Sequence, residues 1–213
     1  MIKIARLYGF HGLDLDWDWE YPKTNSVMAN MGMLFDEWHA AVDTESRNSG
    51  ESPLMLTAAV YYAARVNSVS YPTNSMARSL DWVNVMAYDY YSPTRSKVTG
   101  SPAALYDPSS QISSSFGIGS WTQTELSSKK IVLGLPLYGY AWRLVDPQNH
   151  GLYAPANGSV GSGDPSMGYN QTKEFILRNS AVSVYNGTIV SAYCYAGSTW
   201  IGVKSISRCV SKS

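Results

Sequence analysis

The sequence has few cysteines, little phenylalanine and no excess of charge of either sign. Its 213 residues include two cysteines, Cys194 and Cys209, which are too few for a disulfide framework and could form one bridge or stay free. Its 16 basic and 16 acidic side chains cancel, so the basic face that nucleic-acid binding requires is not indicated. No segment reaches transmembrane length. The apolar run in the amino-terminal MIKIARLYGF is too short for a signal peptide.

Apolar residues and large polar aromatics are plentiful. Hydrophobic residues make up 45% of the chain, and 16 Tyr and 7 Trp stand against 4 Phe. Tyr and Trp offer flat apolar faces with a polar edge, which suits half-polar ligands such as sugars, although ordinary core and surface use explains them equally well. Three Asn-x-Ser/Thr triplets, at Asn157, Asn170 and Asn186, hint at secretion and glycosylation.

Strand and helix patterns alternate over the first two thirds of the chain. Strands are predicted at 10–20, 54–60, 81–89 and 129–139. Helices are predicted at 27–42, within 71–80 and at 121–128. This order predicts an α/β fold with a parallel sheet. After Trp142 the composition shifts to Gly, Asn, Ser and Tyr, with a helix at 170–179 and an antiparallel strand at 188–197. We therefore predict a barrel-like region at 1–142, an α+β insertion at 143–200 and a returning tail at 201–213.

The stretch GFHGLDLDWDWEYPK, residues 9–23, places acids at every second position, with Leu and Trp between them. Because successive side chains of a strand point to opposite faces, one face is acidic and the other apolar. Crowded carboxylates titrate together, and one of them holds its proton to higher pH. A carboxylic acid kept protonated near neutrality is what general acid catalysis needs. The four acids are Asp14, Asp16, Asp18 and Glu20.

Three interpretations of this acidic face compete. A solvent-exposed strand face is disfavoured because adjacent like charges destabilise it. The Asp-x-Asp-x-Asp spacing also resembles the start of a calcium loop. Such a loop needs Gly at its sixth position and an acid at its twelfth, where this chain has Trp19 and Asn25. An acid–base site at a strand end is the interpretation that we favour.

These residues resemble the Asp-x-x-Asp-x-Asp-x-Glu signature of family 18 glycoside hydrolases, the chitinase family, at the fourth strand of a (β/α)₈ TIM barrel. The stretch ARLYGFHGLDLDW…WEYP is similar to plant class V chitinases. Four further stretches agree: WVNVMAYDYY, VTGSPAALYDP, KKIVLGLPLYGYAW and YCYAGSTWIG. The resemblance implies a partial barrel, strands four to seven, that carries a small α+β insertion.

The resemblance also implies a chitinase-type hydrolase that cleaves β-1,4-linked N-acetylglucosamine polymers by substrate-assisted retention. Glu20 is then the general acid and later the base. Asp18 orients the acetamido group, and Asp16 shares a proton with Asp18. No metal or organic cofactor is expected. The expected protein is an extracellular or vacuolar monomer with chitin or its oligosaccharides as partner, and with neither nucleic acid nor membrane.

Further residues are implied as substrate contacts. Tyr88 would donate a hydrogen bond to the acetamido oxygen, and Asp89 would hold a sugar hydroxyl. Met86 would line the floor of the subsite, although ordinary core packing is its alternative explanation. The remaining candidates for the cleft are Tyr21, Tyr138 and Trp142.

The chain departs from the family pattern in two ways. One Asp-Trp pair is extra, so the first Asp of the pattern falls on Leu13 when counted back from Glu20, or on His11 when that pair is set aside. A two-residue insertion keeps each side chain on its face but shifts one end by about 6.6 Å. The first three strands of the family's barrel, and the eighth strand with its Trp, have no counterpart in this chain, which predicts marginal stability.

The alternative function is a non-catalytic chitin-binding lectin or inhibitor on the same fold.

Overall fold

A computed structural model describes residues 1–16 and 21–203. These residues form two compact units, one of 1–86 with 116–134 and one of 87–115 with residues from 135 onward. The predicted division at Trp142 does not coincide with these units, because the strand that contains Trp142 pairs entirely within the second unit. Within the described part of the chain, no helix is both long enough and apolar enough to cross a membrane.

The first unit is built on a four-stranded parallel sheet in the order β1-β2-β5-β6. Alternate residues of β2 and β5 are buried, which forms the core of the unit. The two shortest strands, β3 and β4, pair with each other. The strands of this unit are β1 (Gly12–Leu15), β2 (Met55–Tyr61), β3 (Arg65–Val66), β4 (Val69–Ser70), β5 (Trp82–Met86) and β6 (Ile131–Leu133).

Helices precede and connect these parallel strands. The longest, α2, begins after Thr24, whose Oγ1 accepts a hydrogen bond from the amide of Val27 at 3.2 Å. It ends at Gly50, which adopts the left-handed conformation, φ 75°, that favours glycine. A 3₁₀ turn covers Ser128–Lys130. The α-helices are α1 (Ile2–Leu7), α2 (Asn25–Ser49), α3 (Thr73–Ser79) and α4 (Ser114–Thr122).

The second unit is built on an antiparallel sheet in the order β10-β11-β12-β7-β8, with β9 also paired to β7. Trp142 on β7 and Trp200 on β12 are fully buried and pack edge to face. Helix α5 (Tyr169–Asn179) follows β9. The strands of this unit are β7 (Tyr138–Leu144), β8 (Ala156–Ser159), β9 (Ser166–Gly168), β10 (Val182–Asn186), β11 (Ser191–Ala196) and β12 (Thr199–Val203).

The predicted alternation of strands and helices, the parallel sheet and the antiparallel strand near 188–197 are confirmed. Two predictions were wrong. The run 129–139 is not one strand, because β6 ends at Leu133 and β7 starts at Tyr138 in a different sheet. The helix expected at 121–128 lies earlier, at Ser114–Thr122. The last four residues of the predicted strand 10–20 lie outside the described residues.

Candidate functional site

The carboxyl ends of the parallel strands form one edge of the first unit's sheet. Asp16 follows β1 directly and is exposed, and Met86, half-buried, ends β5. Tyr21 packs edge-on against Tyr61, the last residue of β2, with 6.2 Å between ring centroids. In (β/α)₈ enzymes, the catalytic side chains come from this end of the strands. The predicted catalytic residues Asp18 and Glu20 lie outside the described residues.

Asp14, the first acid of the run, ties β1 to the next two strands. Its Oδ1 accepts a hydrogen bond from Oγ1 of Thr57 on β2 and another, of 3.1 Å, from Nδ2 of Asn84 on β5. The backbone register places Asp14 directly opposite Thr57. The hydrogen bonds of Asp14 to the two neighbouring strands were not predicted from the sequence. The available signal was that Thr57 and Asn84 are polar residues within otherwise apolar strands.

A second group of polar side chains lies in the second unit, around Asp89. Tyr138 and Tyr140 both donate their hydroxyl hydrogens to Oδ1 of Asp89, at 2.7 and 2.9 Å. Asp89 has a positive φ of 60°, and its carbonyl oxygen accepts a hydrogen bond of 2.7 Å from Nη2 of Arg95. Tyr88, the predicted acetamido contact, packs edge-on against Tyr138 with 6.5 Å between centroids. The structure thus brings together Tyr88, Asp89 and Tyr138 of the predicted site residues.

The two tyrosines that donate to Asp89 are held in their neutral form. Burial first, and the hydrogen bond to Asp89 next, raise the pKa of Tyr140 to about 12. The same two causes raise the pKa of Tyr138 far above its usual value. A phenol that is neutral near pH 7 remains a hydrogen-bond donor. Both hydroxyl groups therefore remain hydrogen-bond donors throughout the physiological pH range.

Trp142 does not form part of an exposed wall. Its ring is fully buried between Tyr140 and Trp200, with centroids 6.2 and 5.3 Å away. Its Nε1 is buried without a hydrogen-bond partner among the described residues. The prediction of a cleft contact is therefore replaced by a core position, because no face of the ring is open to a ligand.

Tyr140 is the residue that the sequence analysis missed. It stands two positions from Tyr138 and two from Trp142, so the three side chains share one face of β7 and pack edge to face in sequence. This alternation was a signal for a shared face. The contact with Asp89 was not predictable locally, because the two residues are 51 positions apart.

Within residues 1–16 and 21–203, no group of three His, Cys, Asp or Glu residues could hold a metal ion.

The parallel sheet of the first unit agrees with a comparison against known families. Residues 1–209 match the family described as glycosyl hydrolases family 18, and the chain belongs to this family. It is 52% identical over 212 residues to a class V chitinase of Arabidopsis thaliana. That match covers 99% of this chain and 55% of the relative, so the chain spans just over half the length of the curated relatives that it matches.

Solved structures agree with this assignment. A class V chitinase from Nicotiana tobaccum superposes with a TM-score of 0.90 at 50% identity, over 96% of this chain and 59% of that one. A mutant of that protein was solved in complex with NAG4. A chitinase-like agglutinin from Robinia pseudoacacia superposes with a TM-score of 0.79 at 39% identity, over 96% and 58%. The predicted α/β fold, a set of consecutive strands of a (β/α)₈ barrel, is confirmed by these neighbours.

Proposed function

We propose that this chain carries the acid–base segment of a chitinase-type glycoside hydrolase that cleaves β-1,4-linked N-acetylglucosamine polymers. One observation carries the proposal. The segment Asp16-x-Asp18-x-Glu20 begins at the residue that follows β1, at the carboxyl edge of a parallel sheet. Enzymes of this fold place their catalytic groups at that edge. Family membership and the chitinase relatives support the substrate class.

The proposed reaction is hydrolysis with retention of anomeric configuration and without an enzymic nucleophile. Glu20 donates a proton to the glycosidic oxygen, and the bond from that oxygen to the anomeric carbon breaks. The acetamido oxygen of the substrate attacks the same carbon and forms an oxazolinium ion, which Asp18 stabilises. The Glu20 carboxylate then takes a proton from water as the water opens the ring. In this mechanism Asp16 shares a proton with Asp18.

The proposed substrate contacts follow the described side chains. Tyr88 donates to the acetamido oxygen, and Asp89 accepts from a sugar hydroxyl. Tyr21 is 42% exposed, and Tyr138 is half-buried, so each has ring surface left for a sugar. Met86 lies half-buried at the end of β5, where its side chain would line the floor of the subsite.

Hydrolysis of a fluorogenic chitotrioside by the wild-type chain and by Glu20→Gln tests the proposal. Loss of a general acid costs typically 10²–10⁴-fold in rate, so the variant should retain about 1% of activity or less. Glu37→Gln is the matched control, because Glu37 is exposed on α2 and should leave the rate unchanged. Equal rates for Glu20→Gln and the wild type would reject the assignment of the acid. Binding of chitin oligosaccharides without turnover would favour the lectin alternative.

We also propose that the protein is secreted or vacuolar, glycosylated and monomeric. Asn157 and Asn170 are exposed, so the side-chain amide of each acceptor asparagine is open to a glycosyltransferase. Asn186 is half-buried, and its Oδ1 accepts hydrogen bonds from the amides of Thr188 and Ile189. Expression in a plant secretory system and peptide mapping after deglycosylation should find glycans at the first two sites and little at the third. Unmodified Asn157 and Asn170 would contradict this.

A further inference from the structure

The carboxylate of Asp89 is restrained at one of its two oxygens. Tyr138 and Tyr140 donate to Oδ1, whereas Oδ2 accepts none of the hydrogen bonds among the described residues. Asp89 itself is half-buried. A carboxylate offers about four acceptor positions, and two phenol donors on one oxygen leave the other available. The arrangement therefore fixes the side chain without using all of its capacity to accept hydrogen bonds.

The backbone of Asp89 is restrained as well. A φ of 60° lies in the left-handed region, which Asp adopts more readily than most residues. The hydrogen bond from Arg95 to the Asp89 carbonyl closes a short loop on the carboxyl side, because the two residues are six positions apart. Main chain and side chain are thus held independently. Tyr140, in turn, is held by edge-on packing against Tyr138 and against the fully buried Trp142.

We propose that Tyr140 is a positioning residue which, together with Tyr138, fixes the carboxylate of Asp89 so that Oδ2 accepts a hydroxyl group of a carbohydrate ligand. The inference rests on the proposed function for the identity of the ligand. The contact between Tyr140 and Asp89 does not depend on it. Tyr140 acts through Asp89 and needs no contact with the sugar.

This role has a different signature from ordinary packing. Tyr140→Phe removes one hydroxyl group and keeps the ring, so the contacts with Tyr138 and Trp142 persist. Asp89 then keeps a single side-chain donor and gains rotational freedom. A packing role predicts unchanged affinity for sugar, whereas a positioning role predicts weaker affinity in a chain that is still folded.

The first experiment tests the contact at neutral pH without any ligand. In protein labelled with ¹³C at the tyrosine Cζ carbon, a phenol that donates to a carboxylate should resonate downfield of an exposed phenol. Tyr140→Phe and Tyr138→Phe assign the two signals. In Asp89→Asn, both signals should move upfield, because an amide oxygen is a weaker acceptor than a carboxylate. Tyr185, which is 59% exposed on β10, is the reference and should not move. A Tyr140 signal that is unchanged in Asp89→Asn would overturn the proposal.

The second experiment tests the consequence. Calorimetric titration with N-acetylglucosamine tetrasaccharide should show roughly 10-fold weaker binding by Tyr140→Phe, as expected for the loss of a hydrogen bond to a charged group. Tyr185→Phe, the matched control, should bind like the wild type. In Asp89→Asn, the further change Tyr140→Phe should have little additional effect. Wild-type affinity in Tyr140→Phe would refute positioning. A wild-type chain that binds no tetrasaccharide would reject the proposed function, while the Cζ signals would still decide the contact.

Discussion

The substitution Gly139→Ala tests whether the spacing between β7 and β12 fixes the two tyrosines that hold Asp89. Gly139 lies between Tyr138 and Tyr140 and is paired with Val203. A Cβ at this position would lie 2.5 Å from Cγ1 of Val203 and closer still to the carbonyl oxygen of Gly202. Real Cβ atoms essentially never approach within 3.0 Å, so the strands must separate by at least half an ångström. The oxygen belongs to the backbone and cannot rotate away.

The magnitude follows from this displacement. Overpacking of this kind costs about 1–3 kcal/mol of stability. For a chain of this length, each kcal/mol lowers the melting temperature by about 2–4 °C. If the displacement breaks one of the two hydrogen bonds to Asp89, tetrasaccharide binding should weaken by roughly 10-fold, as expected for the loss of a hydrogen bond to a charged group.

The assay compares Gly139→Ala with Gly151→Ala by thermal unfolding and by calorimetric titration. Gly151 is the matched control, because a Cβ there would meet nothing within 4 Å among the described residues and its φ is not in the left-handed region. The control should melt and bind like the wild type. The reasoning would be refuted if Gly139→Ala also did so, because the tyrosines would then tolerate a wider spacing between the strands.

Two further predictions concern stability. Asp36 on α2 accepts hydrogen bonds from Arg78, and these hold the pKa of Asp36 below its usual value. The stability that Asp36 contributes is therefore fully present above the usual carboxyl pKa. It is lost as the pH falls through the lowered pKa. Asp36→Asn should therefore cost about 1 kcal/mol in urea unfolding at pH 7 and less at pH 3, and an equal cost at both would contradict this. Trp200 donates from Nε1 to the carbonyl of His150 at 3.1 Å, whereas Nε1 of Trp142 has no partner among the described residues. Trp200→Phe should therefore lower the free energy of unfolding by about 1–3 kcal/mol more than Trp142→Phe does. Equal costs in urea unfolding would show that the two indole nitrogens are equivalent.

The parallel sheet was predictable because its central strands are largely apolar, and the face that carries their alternate residues is buried. The run 54–60 is almost entirely apolar, and in the structure Leu56, Ala58 and Val60 are at most 1% exposed. Helix α2 was predictable for a similar reason, since its apolar residues recur at helical spacing and Phe35 is fully buried. In both cases the local pattern predicted the element, although Leu34 and Ala41, two of the apolar residues at helical spacing in α2, are exposed.

The position of α4 was not predictable, because its sequence SSFGIGSWT has low intrinsic helix propensity. Tertiary contacts decide it. Trp121 is fully buried and donates from Nε1 to the carbonyl of Tyr61 at 3.2 Å. Gly117 lies so close to the carbonyl oxygen of Tyr62 that a Cβ would not fit. These contacts join residues about 55 to 60 positions apart, beyond the reach of any local pattern.

The break between β6 and β7 was missed because residues 131–138 form an apolar run with one proline. Hydrophobic periodicity cannot show that Leu133 and Tyr138 belong to different sheets. For the candidate site, alternation predicts that the four acids share one face of a strand end, and of these Asp14 and Asp16 lie within the described residues. The restraint of Asp89 depends on tyrosines about 50 positions away, so only the three-dimensional pairing reveals it.

The left-handed backbone of Asp89 narrows the sequences that this position can accept during evolution. Gly and Asn are the replacements that tolerate such a φ, and of these only Asn retains an oxygen in the place of Oδ1. Glutamate keeps the charge, but it adds a methylene group and adopts a positive φ less readily. A lineage released from selection for sugar chemistry should therefore drift through Asn or Gly here, and an Asp at this position in a distant homologue marks a site still under selection.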